Sequence, residues 1–65
     1  MKKRELQRHL TAHGCTLTRQ AAKHEMWENP ATGQRTVVPR HREIKTQTAR
    51  GICRQLGIAM PTGPR

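Results

Sequence analysis

The chain contains no phenylalanine and no tyrosine, and Trp27 is its single aromatic residue. Any stacking of a ring on a nucleobase therefore rests on one side chain. Acidic residues are nearly as scarce, 4 Asp+Glu against 13 Lys+Arg, which gives a formal charge of 13 − 4 = +9. A merely solubilising surface would mix its signs, whereas this balance is the footprint of a polyanion binder, with nucleic acid as the default partner. No apolar run approaches the ~20 residues of a membrane span, and no signal-peptide apolar region follows the basic start. The expectation is a cytosolic chain with no membrane partner. Cys15 and Cys53 lack the Cys-x-x-Cys spacing of a zinc or redox motif, so both read as small buried apolar residues. Repeats and low-complexity segments are also missing. A chain of 65 residues buries only ~60% of its unfolded surface, which argues against a large cavity for a small-molecule ligand.

What remains is patterned well enough to read as five elements. Lys2 to His13 forms a helix with Leu6 and Leu10 four apart, stopped by Gly14. Cys15 to Arg19 alternates as a half-buried strand does. His24 to Asn29 is a second strand ended by Asn29-Pro30, and Gln34 to Pro39 ("QRTVVP") is a third. These two form a hairpin with a loop of about four residues. Arg40 to Lys45 is a basic connection anchored by Ile44. In the last helix Ala49, Ile52, Cys53 and Leu56 make one apolar stripe, with Thr48 placed to cap it and Gly57-Ile58 placed to stop it. The expected fold is α+β, ordered α-β-β-β-α, with a three-stranded antiparallel sheet carrying both helices on one face. Residues 1–58 form the domain. Residues 59–65, with two prolines and a glycine, read as a flexible tail.

The stretch 18–58, "TRQAAKHEMWENPATGQRTVVPRHREIKTQTARGICRQLGI", resembles the HicA family of toxin-antitoxin ribonucleases, or mRNA interferases. The resemblance is carried by a His followed by an apolar-aromatic pair and Asn-Pro, a Val-Val-Pro strand, a basic linker, and Thr-Ala-Arg opening a helix that ends Leu-Gly-Ile. Its order and spacing are more specific than any one fragment. The chain departs from the family's pattern at Ala22-Lys23, where the family usually has Gly-Ser, and at Gln47-Thr48, where it usually has Gly-Thr. The resemblance implies a fold similar to a double-stranded-RNA-binding domain, RNA cleavage as the activity, a HicB-type antitoxin as partner, and His24 as the catalytic histidine.

The chemistry such a site needs can be set against the residues. Metal-free cleavage of RNA takes a base for the 2′-OH, an acid for the departing 5′-oxygen and cations for the charge on phosphorus. An imidazole with a pKa near 6.5 serves both proton transfers at neutral pH, with no cofactor. Lys23, Arg19 and Arg35 are candidates for the charge. Taken alone, His24 reads more readily as an idle polar residue at a strand mouth, and it is the resemblance that turns the reading to catalysis. Arg40, His41, Arg42 and Lys45, before a helix N-terminus, form either a phosphate-positioning patch or a solvated loop. His9 and His13 stand four apart, but with no third ligand evident the reading is no metal site, and His13 is expected to bond a backbone group. Alternation along the second strand puts His24 and Met26 on one face and Glu25 and Trp27 on the other. Trp27 either stacks on a base or packs against the hairpin or the antitoxin, and packing is the preferred reading. The leading function is an endoribonuclease toxin acting on mRNA; the alternative is a non-catalytic RNA-binding module on the same fold.

Overall fold

Two glycines set the ends of the two helices. The computed structural model describes residues 1–61, and its first helix, α1 (Lys3–Ala12), ends where Gly14 takes φ +86°. There the Gly14 N–H donates to Thr11 O (3.0 Å) and the Cys15 N–H to Leu10 O (2.9 Å). The last helix, α2 (Thr46–Leu56), stops in the same way: Gly57 has φ +72°, its N–H donates to Arg54 O (3.1 Å), and the Ile58 N–H donates to Cys53 O (3.0 Å). Both are Schellman stops, which glycine makes without the steric penalty of a Cβ.

Between the helices lie β1 (Thr16–Gln20), β2 (His24–Asn29) and β3 (Gln34–Pro39), paired antiparallel in the order β1-β2-β3. The expected α-β-β-β-α order and three-stranded sheet are what the chain forms. β2 and β3 match their expected limits because Asn29-Pro30 and Pro39 punctuate them. In the four-residue loop between them, the Gly33 N–H (φ +78°) donates to Asn29 O at 2.7 Å and the Ala31 N–H to Asn29 Oδ1 at 3.1 Å. The Asn29 side chain also donates to Leu56 O at 2.8 Å, satisfying a carbonyl at the end of α2.

Register decides which face each residue takes. His24, Met26 and Glu28 of β2 lie opposite Pro39, Val37 and Arg35 of β3, and this set faces away from the helices. Glu25, Trp27 and Asn29, with Val38, are buried beneath the helices. Leu6 and Leu10 of α1 meet Ala49, Ile52, Cys53 and Leu56 of α2 over that inner face, joined by Cys15, Trp27, Val38 and Ile44. Each large apolar side chain so buried contributes roughly 1.5–3 kcal/mol. Both cysteines are free and buried, as expected, and burial pushes both thiols up.

Two local expectations fail. β1 is exposed along its whole length, with Leu17 42% accessible, not half-buried. The helices cover β2 and β3 but do not reach this edge strand, and only Cys15, just before it, enters the core. α2 begins at Thr46, two residues before the expected cap Thr48, and its Ala49 N–H donates to Lys45 O at 2.9 Å. In the segment read as tail, His9 Nε2 lies 2.8 Å from Ala59 O and Met60 packs against the core, while residues 62–65 lie outside the described residues.

Candidate active site and basic groove

His24 is the first residue of β2 and is exposed on the open face of the sheet. It is reached from β1 through three residues, Ala21, Ala22 and Lys23, and the loop closes where the Ala21 N–H donates to His24 O at 2.8 Å. Arg40 then takes up the carbonyls of all three. Its backbone N–H donates to Lys23 O (3.2 Å), and its Nη1 donates to Ala21 O (3.0 Å) and Ala22 O (3.5 Å). A guanidinium with donors in a fixed fork suits this task, because one rigid plane orients several acceptors together. The loop that presents His24 is thus bound to the residue after β3.

The residue after His24 in β2 is the least expected part of the site. Glu25 is 1% exposed, yet it is ringed by donors: Lys3 Nζ at 2.8 Å, Arg40 Nε at 3.7 Å, Gln7 Nε2 at 3.0 and 3.4 Å from its two oxygens, and Trp27 Nε1 at 3.1 Å. Burial alone would push this carboxyl up. The hydrogen bonds from Lys3, Trp27 and Gln7, with the Lys3 charge, outweigh burial and hold it below the ordinary carboxylate value. A buried charge is tolerated when it is paired and its lone pairs are used. Alternation along β2 already placed Glu25 on the same face as Trp27, so its burial follows from that of the tryptophan; the charge obscured the signal.

Above Glu25 the start of α1 lies alongside the chain that follows β3. The Lys3 N–H donates to Arg42 O at 2.9 Å, and the Ile44 N–H donates to Met1 O at 2.7 Å. These bonds hold a groove of about 560 Å³ lined by Lys2, Lys3, Arg4, Gln7, Arg40 and Arg42. The basic run at residues 2–4, read at first only as part of the overall charge, lines one wall of it.

The other sequence-derived candidates separate on this frame. Arg19 lies opposite Met26, two residues along β2 from His24, and Lys23 adjoins His24 in the loop. Arg35 lies opposite Glu28, about 14 Å along the strand from His24 at ~3.4 Å per residue, and its Nε is 3.7 Å from the Glu28 carboxylate. Its distance from His24 and its pairing with Glu28 set it apart from Lys23 and Arg19. Arg40 and Arg42 turn to the groove, whereas His41 and Lys45 are exposed and do not line it. Trp27 is 5% exposed with its Nε1 committed to Glu25, so it packs and does not stack on a base. The His13 ring bonds its own helix, Nδ1 to His9 O at 3.0 Å, and lies 4.3 Å from the His9 ring. Among the described residues no three of the His, Cys, Asp and Glu side chains converge as metal ligands, and no helix is long and apolar enough to cross a membrane.

Neither a comparison with curated proteins nor one with solved structures finds a match. Among protein families, the one described as the HicA toxin of bacterial toxin-antitoxin matches residues 4–58, from the second residue of α1 to the stop of α2. With the match spanning both helices and every strand, the chain belongs to the HicA toxin family of bacterial toxin-antitoxin systems.

Proposed function

We propose that this toxin is an endoribonuclease of the cytoplasm that cleaves mRNA without a metal ion or cofactor, and that His24 is its general acid and base. The observation that carries the reading is the placing of an exposed imidazole at the mouth of the central strand. It sits on a loop whose three carbonyls are held by Arg40, with Lys23 beside it and Arg19 on the neighbouring strand. The imidazole takes the proton of a 2′-OH as that oxygen attacks the adjacent phosphorus. The bond from O2′ to phosphorus forms, the bond from phosphorus to O5′ breaks, and the proton passes from the imidazolium to O5′. Lys23 and Arg19 offset the charge that develops on the phosphoryl oxygens. Dependence on the 2′-OH restricts the reaction to RNA. An antitoxin of the HicB type is the restraining partner.

His24→Ala tests the reading. The side chain is exposed, so the variant folds and melts like the parent, binds RNA with little change in affinity, and loses RNA cleavage and growth arrest. Chelators leave the parent's cleavage unchanged. Cleavage at the parental rate by the alanine variant would move the chemistry elsewhere, with His41 the next histidine to test. A parent that binds RNA and leaves it intact would be a binding module.

A further inference from the structure

Arg40 joins the groove at the start of α1 to the loop that presents His24, but Lys2, Arg4 and Arg42 neither hold that loop nor take part in the cleavage scheme above. We infer that this groove is a second RNA-contact surface, in which Lys2, Arg4 and Arg42 bind backbone phosphates of the strand whose scissile bond lies at His24. The inference rests on the ribonuclease reading for its substrate and on separate residues for its support.

Five of the six residues lining the groove are cations. One carboxylate, Glu25, lies beneath them, and its oxygens are occupied by Lys3, Arg40, Gln7 and Trp27. The lining residues and Glu25 together carry 5 − 1 = +4; of the carboxylates beside Lys2, Glu5 accepts from the Lys2 backbone N–H at 3.1 Å and Glu43 pairs with the Met1 ammonium at 3.5 Å. Like charges brought this close repel unless water or an anion lies between them. The division of labour among the five is visible in their partners. Lys3 and Arg40 are bound to Glu25, and Arg40 also holds the His24 loop. Lys2, Arg4 and Arg42 take no part in the ion pairs among the described residues, and all three are exposed. Two of the cations thus build the floor, and three present charge to a ligand.

The position of the groove selects a strand with several phosphates over a small anion. Arg40 follows Pro39, which lies opposite His24 in the sheet, so its Cα is at most about 9 Å from that of His24 by strand pairing and chain geometry. One polyanion therefore passes from the open face at His24, around the end of β2, into the groove. An acidic protein segment would also suit the charge. Continuity with the catalytic imidazole favours the nucleic acid, because the groove then fixes the register of the strand that is cut.

The experiment is RNA affinity as a function of salt, measured by fluorescence anisotropy on a short single-stranded RNA in the His24→Ala background, so that cleavage does not interfere. Lys2, Arg4 and Arg42 are replaced by alanine singly and together. Each lost phosphate contact makes the log–log salt slope shallower by about 0.7, so the triple variant is shallower by about 2. Replacing the three by Arg, Lys and Lys in turn preserves the slope, since charge is retained. Matching thermal melts of parent and triple variant verify the fold, and the single variants provide the same slope test should the triple variant melt early. A triple variant with unchanged slope and affinity overturns the inference, and if that variant has instead lost antitoxin binding, the groove belongs to the protein partner. The two readings fail separately: abolition of cleavage by His24→Ala alone, with an unchanged triple-variant slope, keeps the catalytic assignment and removes the groove.

Discussion

Glu25 shows how one side chain can serve the fold and the candidate site together. Its carboxylate lies at the bottom of the basic groove, fixes Lys3 from α1 and Arg40 from the chain after β3, and through Arg40 bears on the loop that presents His24. Replacement by glutamine keeps the shape and removes the charge. Lys3 and Arg40 then face one another with no anion between them, although both still reach water. A loss of about 1–3 kcal/mol follows for a charge-assisted network of this kind, or a fall in Tm of about 5–15 °C for a domain of this size. The pH dependence has a definite sign. Because the folded-state pKa lies below the ordinary value, the ionised carboxylate stabilises the fold fully above the unfolded value of about 4.3, and that contribution is lost as pH falls through the folded value. The Tm difference between the parent and Glu25→Gln is expected to be constant from neutral pH down to about 5, to narrow below the unfolded value, and to close as pH falls through the folded one. Melts across that range would count against the assignment if the difference persisted in acid or grew. This residue was half legible in the sequence. Period-2 alternation gave its face, but nothing local announces that Lys3 and Gln7, from a helix 18 or more residues earlier, will meet it there.

At the scale of elements, what could be read were the devices that act over a few residues. Gly14 and Gly57 stop their helices as expected, and Pro30 and Pro39 mark the ends of the two hairpin strands. The stripe through Ala49, Ile52, Cys53 and Leu56 is fully inside. What escaped depends on distant surfaces. β1 alternates as a half-buried strand would, yet it is exposed because no helix covers that edge, and a pattern within five residues carries no record of what lies above them. The two glycines in and after α2 give a paired test of local reasoning. Gly51 is in the helix interior, and a Cβ there meets nothing within 4 Å, so Gly51→Ala removes backbone freedom from the unfolded chain at no steric cost. It is expected to stabilise by about 0.5–1 kcal/mol and to raise Tm by a few degrees. Gly57→Ala makes the same chemical change at φ +72°, where the new Cβ would find ordinary contact with Gln34 Oε1 at 3.5 Å but an unfavourable backbone. It is expected to destabilise by about 1–2 kcal/mol. Thermal melts of the two variants should shift in opposite directions; a parallel shift would mean that space, and not backbone conformation, governs the end of α2.

For the molecule as a whole, size and charge constrain how a toxin of this family can be restrained. Its Cα radius of gyration is 10.6 Å and its smallest extent 16 Å, so helices and sheet form two thin layers with few apolar side chains between them. Such a domain gains stability by mass action from any partner that binds only the folded state. The formal charge of +9 favours a partner with an acidic face, which speeds encounter and makes the rate depend on salt. His24 on the open face and the groove on the helix side are joined at one end of β2 by Arg40, whose Cα lies at most about 9 Å from that of His24. An antitoxin laid across that end would block both the imidazole and the entry of the strand, so inhibition needs no change in the toxin's fold. We expect RNA and antitoxin to compete for the His24→Ala toxin, the complex to melt above the free toxin, and the association rate to fall steeply between about 50 and 200 mM salt. Titrating antitoxin into a fluorescent toxin–RNA complex distinguishes the possibilities. Full displacement of RNA with one midpoint supports occlusion of this end, whereas a ternary complex that retains RNA but does not cleave with His24 restored would place the antitoxin on the helices. Inhibition would then act through the Arg40-held loop that carries the histidine.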